Sequence, residues 1–263
     1  PRGGCVMIRP GDKGNRGSQS ADLHLEHVLS KSYDQLRSEP RLFTPFFVAG
    51  IILSVTDVLR RLDPIPVLQR EGVDPSAFDI HVAYVGYPTG VTQTERAFAS
   101  LLELELPYLL WGSGLELLTL LVISFAGAFT IAVLLNIDDR FEAGLRLSGF
   151  VVGIDFLLRV IGSVGPFQRL GLLGVVPLMI LLYVFVRLFA VPGLLVDGWS
   201  IRDAVSRSSR YTTGNEGTVV GLILVFGLGG WLLAFVPYVG TLLSTVLIAP
   251  LHAAAVVVIL TNS

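Results

Sequence analysis

Residues 187–215, RLFAVPGLLVDGWSIRDAVSRSSRYTTGN, separate two apolar runs, LLGVVPLMILLYVFV at 172–186 and EGTVVGLILVFGLGGWLLAFV at 216–236. Ser200 followed by Asp203 reads as an N-cap with a variant capping box, and Gly214 is placed to end the helix that follows. At about 100° per residue, Ile201, Ala204, Val205, Ser208, Tyr211 and Thr212 share one face of that helix. Arg202, Asp203, Ser206, Arg207 and Arg210 share the other. The pattern predicts an interfacial helix of about three turns, its apolar face in the acyl boundary and its arginines toward headgroups. The chain therefore leaves the hydrocarbon, lies along the surface and re-enters.

Working outward, the same alternation of greasy window and polar break covers the chain. The 263 residues have a mean hydropathy of +0.69 and only 15% charged side chains, against about a quarter in a soluble domain. Windows of about 20 apolar residues match the ~30 Å of a bilayer core. The fold class expected is all-α, a polytopic membrane helix bundle with about six spans at 42–59, 109–136, 147–164, 170–196, 218–236 and 241–260. Residues 1–20, rich in Gly, Arg and Ser, read as a disordered lead-in to a membrane domain at 21–260. Residues 21–38 read as an amphipathic helix ended by Pro40, and 60–108 as an external loop. Within that loop 79–93 has the turn chemistry of a short hairpin, and 94–106 looks like a surface helix. HVLSKSY at 27–33 and AVSRSSRY at 204–211 suggest a coarse repeat, a small basic helix feeding a pair of spans.

An even number of spans puts both termini on one side. Twelve Lys and Arg fall on the N-terminal side of the expected spans against five on the other, the remaining two lying within spans. This favours cytoplasmic N- and C-termini in a plasma (inner) membrane. The net charge of −2 gives no reason to expect nucleic acid as a partner. Membrane lipids are the partner expected, gripped at about 1 kcal/mol per basic residue by Arg202, Arg207 and Arg210. Protein partners and homo-oligomerisation are left open. The single cysteine, Cys5, excludes an internal disulfide framework and a cysteine-based zinc site. Without a P-loop, dinucleotide fingerprint or metal-ligand spacing, no cofactor or metal is expected.

Charges at membrane depth are functional candidates by default. Asp155 and Arg159, four apart, can pair. Glu116, Arg187 and His252 complete the intramembrane polar set. One arrangement has Glu116, Asp155 and Arg187 lining a cavity, as in a small-solute or lipid transporter. The other pairs Asp155 with Arg159 and sends Arg187 to the inner surface or to carbonyls freed near Pro192. Gly149-x-x-x-Gly153 would permit close helix packing. Ser113 in WGSGLE and His252 in the last span raise a remote alternative, an intramembrane serine protease, whose Ser needs a His within hydrogen-bond reach.

Arg187, Pro192, Gly198, Ala204, Arg207-Ser208 and Gly214-Asn215 are followed by FVPYVGTLLSTVLIAPLHAAAVVVIL, with Pro237, Gly240 and Pro250. This pattern, over about 170–260, resembles the six-span membrane domain attached to some glycerophosphodiester phosphodiesterases, and related free-standing integral membrane proteins of bacteria and archaea. The resemblance implies a membrane-embedded module without known catalysis of its own, because the phosphodiesterase domain with its metal-binding acids and histidines is missing from this sequence. The expectation is thus a lipid-interacting or scaffold module and not an enzyme.

Overall fold

A computed structural model describes residues 24–69, 86–96, 99–102, 104–161 and 175–262. The elements are α1 (Leu25–Ser38), a 3-10 turn at Pro40–Leu42, α2 (Phe43–Leu62), β1 (Leu68–Gln69), β2 (Thr94–Glu95), α3 (Ala99–Leu102), α4 (Leu106–Leu134), α5 (Arg140–Ile161), α6 (Val175–Leu188), α7 (Val191–Val196), α8 (Ile201–Thr212), α9 (Glu216–Ala234) and α10 (Gly240–Asn262). The two short strands pair antiparallel, Leu68 opposite Glu95 and Gln69 opposite Thr94. The fold is an all-α bundle.

Among the described residues, five helical stretches are long and apolar enough to cross a membrane: Pro40–Leu62, Leu106–Leu134, Val175–Val196, Glu216–Ala234 and Gly240–Asn262. At 1.5 Å per residue each covers about 28 Å or more. Their outward faces expose Leu110, Leu117, Ile180, Leu224 and Leu228, an apolar belt far beyond what a water-soluble surface carries. The chain is a multi-pass membrane protein. The third expected span, 147–164, falls on α5, which is not among the five; its described part ends at Ile161 and carries Arg146, Asp155 and Arg159 in its last eighteen residues. α5 also starts earlier than expected: the polar run at its head is the helix's first turns and not a separate break. Residues 162–164 of the third expected span and 170–174 of the fourth lie outside the described residues, as does the lead-in 1–20.

α10 is the central helix. Two thirds (67%) of its apolar window is enclosed by protein, and it packs against α1, α2, α4 and α9. Lys31 Nζ donates to Asn262 Oδ1 at 2.8 Å, so α1 sits at the bundle end that carries the end of α10. That end, which also carries α8, is the proximal face; the α9–α10 turn marks the distal face. α1 and α8 dock alike, each burying a row at i, i+4, i+8: Val28, Ser32, Leu36 and Ala204, Ser208, Thr212.

The largest departure from expectation is in the segment read as an external loop, 60–108. Residues 86–96 pack between the spans. An added Cβ on Gly127 of α4 would stand 3.3 Å from Pro88, one on Gly230 of α9 would stand 3.0 Å from Val91, and one on Gly90 would stand 2.5 Å from the Thr245 amide nitrogen of α10. This non-helical stretch therefore enters from the distal face and runs inward among α4, α9 and α10. Such backbone is stable at membrane depth only where protein or water satisfies it. The expected hairpin at 79–93 is not formed over 86–93, and 79–85 lie outside the described residues. Of the expected surface helix at 94–106, Thr94–Glu95 is strand and Ala99–Leu102 is α3, while 97–98 and 103 lie outside the described residues.

Candidate functional site

The distal half of the bundle holds a continuous network of ions, buried at Asp57, Arg60 and Arg96 and partly buried at Asp155 and Arg159. Asp57 on α2, 3% exposed, accepts from the Gln93 and Thr94 amides at 3.2 Å each and from the hydroxyls of Thr94 and Thr241. One turn on, Arg60 is 2% exposed. It donates to the Thr94 carbonyl at 3.3 Å and to Thr119 Oγ1 at 3.0 Å, and pairs with Glu116 at 3.0 Å. The second Glu116 oxygen takes Arg159 at 3.0 Å, and Arg159 Nε reaches Asp155 at 2.6 Å. Arg159 also donates to the Arg96 carbonyl at 3.1 Å. Arg96 grips both Asp63 oxygens, at 2.9 and 2.7 Å, and Trp111 Nε1 donates to the same carboxylate at 3.2 Å. Isolated, each of these charges would be costly in hydrocarbon; chained, each carboxylate has cationic or multiple hydrogen-bonding partners.

The network seats the re-entrant segment. Gln93 Nε2 donates to the carbonyls of Ala234 at 3.1 Å and Val236 at 2.7 Å, satisfying orphan acceptors where α9 ends. Its side-chain oxygen accepts from Arg61 at 3.2 Å. Val91 donates its amide to Ser244 Oγ at 2.7 Å, and Gln93 donates its own to Thr241 Oγ1 at 3.0 Å. Gly240 and Pro237 shape the turn beneath it, where Tyr238 has φ +65° and a Cβ on Gly240 would collide with the Ala234 carbonyl.

The proximal face carries the second constellation. Pro192 has no N–H to donate to Leu188, and the helix breaks at Phe189–Ala190 between α6 and α7. Ser208 of α8 mends the break, accepting the Ala190 amide at 3.1 Å and donating to the Arg187 carbonyl at 2.6 Å. Arg187 turns the other way, to the Ser209 carbonyl at 3.0 Å, Thr213 Oγ1 at 2.8 Å and Glu216 at 3.3 Å. A cation there complements the C-terminal end of α8. Ser200 caps α8 by accepting the Asp203 amide, as its sequence predicts. Gly198 (φ +98°) and Gly214 (φ +88°) turn the chain at either end. Arg207 stacks on Trp199 with its guanidinium 3.4 Å from the ring centroid. Arg146, Leu195, Gly198, Trp199, Ser200 and Ile201 line an open cleft of about 340 Å³ beside it.

Comparison with protein-family models, characterised proteins and solved structures finds no match to this chain.

Of the residues singled out from sequence, Glu116, Asp155 and Arg159 come together. Arg187 does not join them; it belongs to the proximal joint with α8 and the start of α9. His252 stands apart, fully buried between Phe189 and Phe226 at centroid distances of 5.1 and 5.0 Å, with neither ring nitrogen hydrogen-bonded among the described residues. Ser113 is exposed on α4 and is not its partner, so the dyad a protease needs is not assembled. Arg202 and Arg210 are exposed, on the side of α8 opposite Ala204, Ser208 and Thr212. That docked face packs on protein, leaving only Ile201 and Val205 of the expected apolar face exposed. Gly149 and Gly153 have nothing among the described residues within 4 Å of an added Cβ, so the small-residue pair makes no close contact there. Sequence reading missed Asp57, Arg60, Gln93 and Thr94. The available signal was a pair of ionisable residues one turn apart at the end of α2, on the side that Phe46, Ala49 and Leu53 mark as buried.

Proposed function

We propose that the chain is a lipid-interacting membrane module of scaffold type, set in a plasma (inner) membrane with both termini cytoplasmic. The proximal face is then the cytoplasmic one, in keeping with the excess of Lys and Arg on that side. The observation that carries the reading is the rigid presentation of α8. Its buried edge is tied by Ser208 and Thr212, its end is clamped by Arg187, and Arg202, Arg207 and Arg210 are left on the opposite side. Trp199, braced by Arg207 and lining the cleft with Arg146, is placed as an interfacial aromatic would be. Phosphate-bearing headgroups of the inner leaflet are the partner this chemistry fits.

The resemblance to the membrane domain of glycerophosphodiester phosphodiesterases belongs to the same reading. Arg187, Pro192, Gly198, Ala204, Ser208 and Gly214, which carry it, are the residues that build the joint holding α8. The module has no catalytic site of its own in this reading. A second reading, a small-solute transporter, draws support from the re-entrant segment 86–96 and the buried ions that seat it.

The test uses nanodiscs containing equal phosphatidylglycerol and phosphatidylcholine, with lipids retained on the released protein counted by native mass spectrometry. At about 1 kcal/mol per basic residue near an anionic leaflet, the triple variant Arg202→Glu, Arg207→Glu, Arg210→Glu should lose its preference for phosphatidylglycerol by about a hundredfold. An unchanged preference in a variant that still melts like wild type refutes the reading.

A further inference from the structure

Thr241, Ser244, Thr245 and His252 fall on one face of α10, and all four are at most 1% exposed. The re-entrant segment covers the distal part of this stripe. Thr241 and Ser244 each accept an amide from it, and Gly90 presses against Thr245. Two members of the stripe are left over. Thr245 Oγ1 and both nitrogens of His252 are buried without a hydrogen-bond partner among the described residues. Hydroxyls and imidazoles do not stay dry in a bundle core at no cost, and ordered water is the usual remedy. Non-helical backbone at membrane depth points the same way, because it survives where it meets protein or lines a wet passage.

We propose that the stripe Thr241–Ser244–Thr245–His252, faced by residues 88–93, is an aqueous path for small uncharged polar solutes, running from the distal face toward His252. This inference gives the transporter reading its substrate class and does not depend on the lipid reading. The chemistry selects against ions. α10 carries no Asp, Glu, Lys or Arg anywhere along its length. The charges at the distal mouth, Asp57, Arg60, Glu116, Arg159 and Asp155, are bonded to one another or to the segment. Beyond Asp57, which is saturated by its bonds to Thr241 and the segment, no fixed charge along the stripe compensates an ion for its lost hydration, whereas hydroxyls and an imidazole can exchange hydrogen bonds with water, urea or a polyol. In this structure the path is occluded at its proximal end, where Phe189 and Phe226 clamp the faces of His252, and a solute crosses when these rings part.

The only cysteine, Cys5, makes the test direct. In a Cys5→Ser chain reconstituted into phosphatidylcholine vesicles, which contain no anionic lipid, Ser244→Cys and Thr245→Cys should react with a small hydrophilic methanethiosulfonate at least tenfold faster than Leu247→Cys, which faces outward. Stopped-flow light scattering on the same vesicles with wild-type protein should show urea and erythritol entering several-fold faster than in protein-free vesicles. Thr245→Val, which keeps the shape and removes the hydroxyl, should slow that entry. Equal reactivity at 244, 245 and 247, or solute entry no faster than in protein-free vesicles, overturns the proposal. So does a Thr245→Val chain that melts higher and leaves solute entry unchanged, because that is the behaviour of a dry core.

Discussion

Removing the Asp57 carboxylate tests the architecture at its most concentrated point. The side chain receives two backbone amides and two hydroxyls within a site that is 3% exposed. In Asp57→Ala the hydroxyls of Thr94 and Thr241 can turn to other acceptors and the Gln93 amide keeps Thr241 Oγ1 at 3.0 Å, but the Thr94 amide loses its acceptor. A buried amide left without an acceptor costs about 1–3 kcal/mol, so the loss is about 2 kcal/mol. Arg60 adds little to the loss, because it keeps Glu116, Thr119 and the Thr94 carbonyl. For a chain of this size, 1 kcal/mol corresponds to roughly 2–4 °C in midpoint, which puts the variant about 4–8 °C below wild type. Asp57→Asn retains one acceptor oxygen and should fall about midway. The control is Asp155→Ala, whose side chain is 27% exposed and whose partner Arg159 keeps Glu116; about 1 kcal/mol is expected there. The measurement is thermal unfolding in detergent micelles followed by intrinsic tryptophan emission. Loss of midpoint in Asp57→Ala no larger than in Asp155→Ala would refute the claim that this carboxylate seats the re-entrant segment.

Gly90→Ala drives a methyl into the Thr245 backbone at 2.5 Å, and should cost several kcal/mol or prevent recovery of folded protein from membranes. Gly149→Ala meets nothing among the described residues and should be neutral or raise the midpoint, by up to about 1 kcal/mol of helix propensity. Ser208→Ala strands the Ala190 amide and the Arg187 carbonyl at the α6–α7 break. About 1–3 kcal/mol of stability should be lost, with faster amide exchange confined to residues 187–191 in hydrogen-exchange mass spectrometry. Arg207→Ala removes the guanidinium stacked on Trp199 and should shift tryptophan emission with little change in midpoint, about 0.5–1 kcal/mol.

The spans were legible because hydrocarbon imposes a single rule on every residue of a lipid-facing helix, and twenty greasy residues in a row obey it visibly. α8 was legible for a local reason: Ser200, Asp203 and Gly214 write both of its ends. The re-entrant segment was not legible, because its determinants are distributed. Thr89, Thr92 and Gln93 look like any polar loop, and Pro88-Thr89-Gly90 like any turn. Only their pairing with Asp57 on α2 and with Thr241 and Ser244 on α10 gives them a reason to be inside, and those partners lie 36 to 153 residues away. The role of Arg60 was illegible for the same reason. A cation at the end of a span has two ways to find polar company, outward to water or inward to Glu116, and nothing local distinguishes them. The joining of Glu116, Asp155 and Arg159 was half legible: the spacing of four announced Asp155 and Arg159, while the link to Glu116 needed the packing of α5 on α4.

The bond between Asp57 and Thr241 spans 184 residues. At about 5–20 residues per second of synthesis, the first helix pair leaves the ribosome on the order of ten to forty seconds before the hydroxyl and the tight turn that complete its socket exist. During that interval the carboxylate has no final ligand set, and the strap around Pro88 has nowhere to settle. Biogenesis must therefore shelter an unfinished polar seam at the translocon until the last hairpin arrives. Nascent chains arrested before Gly240 should persist as substrates for membrane quality control, even with four of their five most apolar spans inserted.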